Sequence, residues 1–163
     1  MTTDSLTTLP ARVGERLKAS GLMLATAESC TGGWVAQAVT SVSGSSEWFE
    51  RGFVTYSNEA KREMLGVRAE TLQRSGAVSE ETAREMASGA LAASRAQIAV
   101  AVTGVAGPSG GTPEKPVGMV CFAWARRGGG VESATRHFPG DREQVRRESV
   151  ICALAGVLER IGG

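Results

Sequence analysis

Histidine is nearly absent from this chain: His137 is the only one in 163 residues. Its three cysteines, Cys30, Cys121 and Cys152, lie far apart and form no C-x-x-C pair. That shortage excludes the usual zinc frames, which need closely spaced nitrogen and sulfur ligands. An odd number of scattered thiols also suits reduced cysteines better than a disulfide scaffold. Neither a metal nor any other cofactor is expected. Long hydrophobic runs are missing too, since the longest apolar window, Ile98 to Val105, falls far short of a membrane span. Charge of one sign is likewise absent. Eighteen basic against seventeen acidic side chains leave a formal charge of +1, so no global field draws the chain to nucleic acid or to a membrane. The opening MTTDSLTTLPARVGERL has no apolar core behind a basic start, which argues against a signal peptide. A cytoplasmic location is the expectation.

What is present is a chain 42% hydrophobic and 21% charged, with the composition of a globular protein. Its length fits a single domain over residues 1–163. The patterns run α-β-α-β-α-α-β-loop-β-β-α. Thr7 to Ser20 reads as a helix closed at Gly21, followed by a strand over 22–27 and a helix from Trp34 to Val39. Arg51 to Tyr56 reads as a strand, and Asn58 as the cap of a short helix ending at Gly66. Ser79 caps the next helix, in which Ala83, Met86, Ala87, Ala90 and Leu91 share one face. Ala96 to Thr103 is a continuous apolar run, the mark of a strand buried on both faces. Val117–Ala125 and Val131–Phe138 flank a glycine-rich turn, and Asp141 with Gln144 forms a capping box for a last helix reaching Ile161. These elements predict an α/β protein: a three-layer α/β/α sandwich around a mixed, mostly parallel sheet of about five strands.

Open α/β sheets bind ligands outside the carboxyl ends of their strands. The first strand ends there in Glu28, Ser29, Cys30 and Thr31, and the pair Gly32-Gly33 opens the following helix. Unpaired N–H groups and the partial positive charge of a helix start favour an anion or a developing oxyanion. Ser29 is the first candidate nucleophile. Cys30 competes with it, because a thiolate is intrinsically stronger and a helix start lowers its pKa, yet a free cysteine is most often a small buried hydrophobe.

Three other segments carry candidate chemistry. Lys61 falls in the first turn of its helix, where side chains lean toward the N-terminus, so its amine points back at the strand ends beside Tyr56. Partial burial would lower its pKa toward that of a general base; an ordinary solvated lysine is the competing reading. The loop Thr103 to Thr112 holds Gly104, Gly107 and Gly110, whose backbone can approach a phosphate or carboxylate closely, or which simply make a turn. It matches neither a Walker loop nor a dinucleotide fingerprint. Arg142 and Arg146 share a face at the start of the last helix and would suit a phosphate, unless Glu143 and Glu148 pair with them.

Six motifs in one order, AESCTGG at 27–33, GSSEWFERGFVTYSNEAK at 44–61, GAVSEETA at 76–83, TGVAGPSGG at 103–111, EKPVG at 114–118 and FPGDREQVRR at 138–147, resemble the CinA C-terminal domain family. The resemblance covers nearly the whole chain. Its stand-alone bacterial members are nicotinamide mononucleotide deamidases, so it implies hydrolysis of that nucleotide to nicotinate mononucleotide and ammonia. It also implies a nucleophile at Ser29, an activating amine at Lys61, and supporting contacts from Tyr56 and Thr103. Many family proteins carry a further N-terminal molybdopterin-binding-like domain, for which this chain has no room. The expected mechanism uses N–H groups of the turn from Cys30 through Thr31, Gly32 and Gly33 for the oxyanion, with Tyr56 relaying a proton. The glycine-rich loop and an arginine at Arg142 or Arg146 would hold the 5′-phosphate. Glu28 would face the cationic pyridinium or serve as a structural carboxylate. Expected partners are the small nucleotide substrate and further copies of the chain, a homo-oligomer, with no nucleic acid and no membrane. The family's name supplies a second reading, a non-enzymatic adaptor in competence or DNA damage. A different serine amidase loses support because Gly32, not lysine, stands three residues after Ser29.

Overall fold

A computed structural model describes residues 5–161; the first four residues of the stretch read for a leader, and residues 162–163, lie outside the described residues. The helices are α1 (Ser5–Ser20), α2 (Trp34–Thr40), α3 (Asn58–Leu65), α4 (Ala69–Ser75), α5 (Glu80–Ala92) and α6 (Arg142–Ile161). The strands are β1 (Leu24–Glu28), β2 (Phe49–Val54), β3 (Ile98–Gly104), β4 (Met119–Arg126) and β5 (Val131–His137). They form one sheet in the order β2-β1-β3-β4-β5. β1 pairs in parallel with β2 and β3, whereas β3–β4 and β4–β5 are antiparallel. Parallel pairing is thus confined to the three strands separated by helical crossovers. The glycine-rich loop joins β3 to β4 without a helix, so that pair turns back on itself.

Strand alternation divides the core in two. Leu24, Ile98, Val100, Val102, Val120, Phe122 and Trp124 face a layer holding Val13 and Leu17 of α1, Val35 and Val39 of α2, and Leu154 of α6. The opposite faces are small: Ala25, Ala27, Ala99, Ala101 and Ala123 meet Met86, Ala87 and Ala90 of α5. Alanine on both sides lets α5 approach closely. Gly89 marks the tightest crossing, since a Cβ there would fall 1.8 Å from the Leu65 carbonyl oxygen, so alanine cannot enter without moving the backbone. The strand read from Ala96 to Thr103 is buried along β3 through Thr103, and the stripe read on α5 is buried throughout.

Capping chemistry departs from expectation at two places. Ser57, not Asn58, caps α3: its backbone is extended and its hydroxyl accepts from the Ala60 N–H, with Asn58 the first helical residue. Helix α4 is absent from the expected order, and its start is tied by a residue distant in sequence. Glu85 of α5 accepts from the Arg68 N–H at 2.9 Å and from the Thr71 hydroxyl. At α6 the capping box forms as read, with Asp141 and Gln144 exchanging bonds of 2.9 and 2.8 Å. Among the described residues no helix is long and apolar enough to cross a membrane.

Candidate active site

The chain leaves β1 for β2 on one side and returns past it to β3 on the other, so a crevice opens between the carboxyl ends of β1 and β3. Such a reversal of strand order is where open sheets place ligands. Ser29 directly follows β1, and its N–H donates to the Val102 carbonyl of β3 at 2.9 Å, which anchors it at that crevice. A cleft of about 360 Å³ opens above it, lined by Ser29, Tyr56, Lys61, Thr103 and Arg142 together with the loop from Gly104 to Gly110.

Lys61 comes into this cleft from α3. Its Nζ lies 2.9 Å from Ser29 Oγ and donates to the carbonyls of Thr55 (3.0 Å) and Tyr56 (3.2 Å). The residue is only 1% exposed, and no carboxylate pairs with it among the described residues. Taking an unpaired ammonium out of water is costly, so burial lowers the amine below its ordinary value of 10.5. A neutral amine keeps two N–H groups for the two nearest carbonyls and turns its lone pair to the serine proton. The solvated-lysine reading does not hold.

Cys30 is buried, and desolvation pushes its thiol up to about 12. The helix start does not activate it, because the carboxylate of Glu28 already occupies that position. Glu28 is 1% exposed; it accepts from the Thr31 hydroxyl (2.6 Å) and from the N–H groups of Gly33 (3.2 Å), Val35 (2.8 Å) and Ala36 (2.9 Å). It is therefore a remote cap of α2 and does not face a substrate. Thr31, fully buried, serves the same cap. Gly33 holds φ +104 at the helix entry, a value that favours glycine. Gly32 donates its N–H to Ser29 O. Of the four N–H groups expected to form an oxyanion hole, those of Gly32 and Gly33 are thus engaged. Those of Cys30 and Thr31 donate to no other residue among the described residues, the Cys30 N–H lying against its own sulfur.

The arginine pair separates. Arg146 donates to the carbonyls of Cys30 and Thr31, both at 3.1 Å, and lies over the Trp34 ring, so it braces the turn from beneath and does not line the cleft. Arg142 lines the cleft: it donates to the Gly107 carbonyl at 2.8 Å and to the Tyr56 hydroxyl at 3.3 Å. Tyr56 brings its backbone carbonyl, not its phenol, to the Ser29–Lys61 pair. Thr103 lines the wall, yet its hydroxyl donates to Ala77 O at 2.8 Å and so fixes the loop before α5. Gly104, Gly107 and Gly110 line the cleft as expected, joined by Ser109 and by Asn58, which the sequence pattern marks only as a cap. The carbonyls that hold Lys61 carry no side-chain signal, so no pattern of residue types could have found them.

These features define a three-layer α/β protein with a buried lysine facing a serine at the switch point of its sheet. The chain belongs to the CinA C-terminal domain family, whose model matches residues 6–161. It is 58% identical over 156 residues to a protein of Escherichia coli strain K12 named nicotinamide-nucleotide amidohydrolase PncC, covering 94% of this chain and 93% of that one. A Pseudomonas putida protein of the same name is 54% identical over 156 residues, covering 96% of this chain and 97% of the relative. The crystal structure of the competence/damage inducible protein CihA from Agrobacterium tumefaciens is also similar, with a TM-score of 0.93, 48% identity, and coverage of 98% of this chain and 97% of that chain.

Proposed function

We propose that this protein is an amidohydrolase that converts nicotinamide mononucleotide to nicotinate mononucleotide and ammonia. The observation that carries the reading is the buried Lys61 amine 2.9 Å from the Ser29 hydroxyl, beside the names of relatives more than half identical to this chain. Neutral Lys61 takes the Ser29 proton as Oγ bonds to the carboxamide carbon. The negative charge that develops on oxygen is met by the N–H groups of Cys30 and Thr31. Collapse of this intermediate breaks the C–N bond, and the proton held on Lys61 leaves with the nitrogen as ammonia. Water, deprotonated by the same amine, then opens the acyl ester and restores Ser29. Arg142 and the loop carrying Gly107 and Gly110 bind the 5′-phosphate, which supplies binding energy away from the bond that breaks. A non-enzymatic adaptor has no use for an amine buried against a hydroxyl. The test is ammonia release from purified protein and nicotinamide mononucleotide in EDTA. Turnover by the wild type that vanishes in Ser29→Ala is expected, and no release by the wild type overturns the assignment.

A further inference from the structure

A pyridinium substrate brings a positive charge to within one ring of the amide under attack, and no carboxylate among the described residues lines the cleft to meet it. Glu28, the carboxylate nearest Ser29 in sequence, is consumed by the cap of α2. Among the described residues none that lines the cleft is acidic, whereas Lys61 and Arg142 are both basic. A cationic ring has to be held there by something other than an ion pair.

Tyr56 is the single tyrosine of the chain and, among the described residues, the only aromatic one lining the cleft. It is 62% exposed, although it stands beside the most buried lysine of the protein. Its two ends are both fixed. At one end its carbonyl accepts from Lys61 at 3.2 Å and lies 3.5 Å from Ser29 Oγ. At the other its phenol accepts from Arg142 at 3.3 Å, and Arg142 is in turn held by Gly107. The residue thus reaches from Ser29, at its backbone carbonyl, to the arginine assigned to the phosphate, at its ring. Its exposure leaves the side chain accessible to a ligand while the hydroxyl is engaged. The substrate has the same order of parts: carboxamide, charged ring, ribose, phosphate.

We propose that Tyr56 is a specificity-determining residue whose ring face binds the cationic pyridinium, selecting N-ribosylated nicotinamides over uncharged aromatic amides. The inference rests on the amidohydrolase reading above. A cation over an aromatic face is attracted by the ring quadrupole, and the attraction grows as water is excluded. Phenylalanine supplies such a face; leucine supplies bulk without it. The exposed position allows these substitutions without loss of the fold, which a thermal melt of each variant verifies.

Binding is measured calorimetrically in a Ser29→Ala background, so that chemistry does not intervene. The two ligands are nicotinamide mononucleotide and its neutral isostere, 3-carbamoylphenyl riboside 5′-phosphate. Adding Tyr56→Leu should weaken the nucleotide about tenfold and the isostere less than about twofold, while Tyr56→Phe keeps the nucleotide within about threefold. Equal losses for both ligands would overturn the proposal and leave Tyr56 a wall of shape alone. A loss in Tyr56→Phe as large as in Tyr56→Leu would overturn it as well, since the hydroxyl and not the ring would then carry the effect. Failure of the amidohydrolase reading looks different: the unmutated protein would release no ammonia from the nucleotide at all.

Discussion

Lys61 Nζ stands 2.9 Å from Ser29 Oγ, although the two residues belong to different crossovers, Ser29 at the end of β1 and Lys61 in the helix after β2. The parallel pairing of β1 with β2 brings these ends together. Its register sets Glu28 beside Val54, the last residues of the two strands. Both strands leave the sheet at the same level, and the lysine reaches back over the serine.

If Ser29 is the nucleophile, Ser29→Ala lowers kcat by at least about a thousandfold with the fold intact, since a nucleophile and its base act as a unit. Cys30→Ala keeps most of the activity, because a thiol pushed up to about 12 by burial is not a thiolate at neutral pH. Ammonia release measures both. A dead Cys30→Ala enzyme beside an active Ser29→Ala enzyme would reverse the assignment.

Lys61 makes a kinetic and a thermodynamic prediction of one sign. Because burial depresses its pKa, kcat rises with pH as the amine loses its proton and levels once it is neutral. Lys61→Met loses this activity, and Lys61→Arg does not restore it, because a guanidinium stays charged. For stability, the unfolded chain binds the extra proton between the depressed folded value and 10.5. The cost of burying the charge is therefore full below the folded value and fades as pH rises through that window. Urea unfolding of wild type and Lys61→Met at neutral pH and near pH 10 should show the wild type gaining on the variant as pH rises; parallel curves would mean an amine of ordinary pKa.

Glu28 divides a structural role from a substrate role. Its oxygens accept from one hydroxyl and three backbone N–H groups at the start of α2. In Glu28→Gln one acceptor becomes an NH2 facing donors, and the charge that complements the helix start is lost. A stability loss of about 1–3 kcal/mol in urea unfolding is expected. The alternative, an unchanged midpoint with a raised KM, would return Glu28 to the substrate.

The layers, the strand order of events along the chain and the serine at the strand end were legible because periodicity and turn chemistry are local. The stripe Ala83, Met86, Ala87, Ala90 and Leu91 says that one face of α5 is buried. It does not say that Gly89 must admit the Leu65 carbonyl, which depends on α3 crossing there. Helix α4 was missed for the same reason. It has seven residues, one of them buried, and its start is tied by Glu85 from another helix. In the cleft, residue types marked Ser29, Tyr56, Lys61 and Arg142 as candidates, the family resemblance added Thr103, and all five line it. Their roles were less legible, because a side chain's partner is a tertiary fact. Glu28, Thr31 and Arg146 have the chemistry of ligand contacts and spend it on the turn and the start of α2.

The separation of the two arginines gives the last prediction. Arg142 enters the cleft, held by Gly107 and Tyr56, whereas Arg146 holds the backbone of Cys30 and Thr31 from outside it. If Arg142 binds the 5′-phosphate, nicotinamide riboside is the poorer substrate of the wild type, because it forfeits charge-assisted bonds worth about 1.5–3 kcal/mol each. Arg142→Ala then lowers kcat/KM for the nucleotide by about ten- to a hundredfold and leaves the riboside nearly unchanged, so the two substrates converge. Arg146→Ala, which loosens the turn behind the serine, lowers both by the same factor and lowers the melting temperature. Four rate measurements, two variants on two substrates, with the wild type as reference, distinguish these outcomes. Equal wild-type rates on nucleotide and riboside would remove the phosphate from this site, and a selective loss in Arg146→Ala would mean that the wrong arginine has been assigned to it.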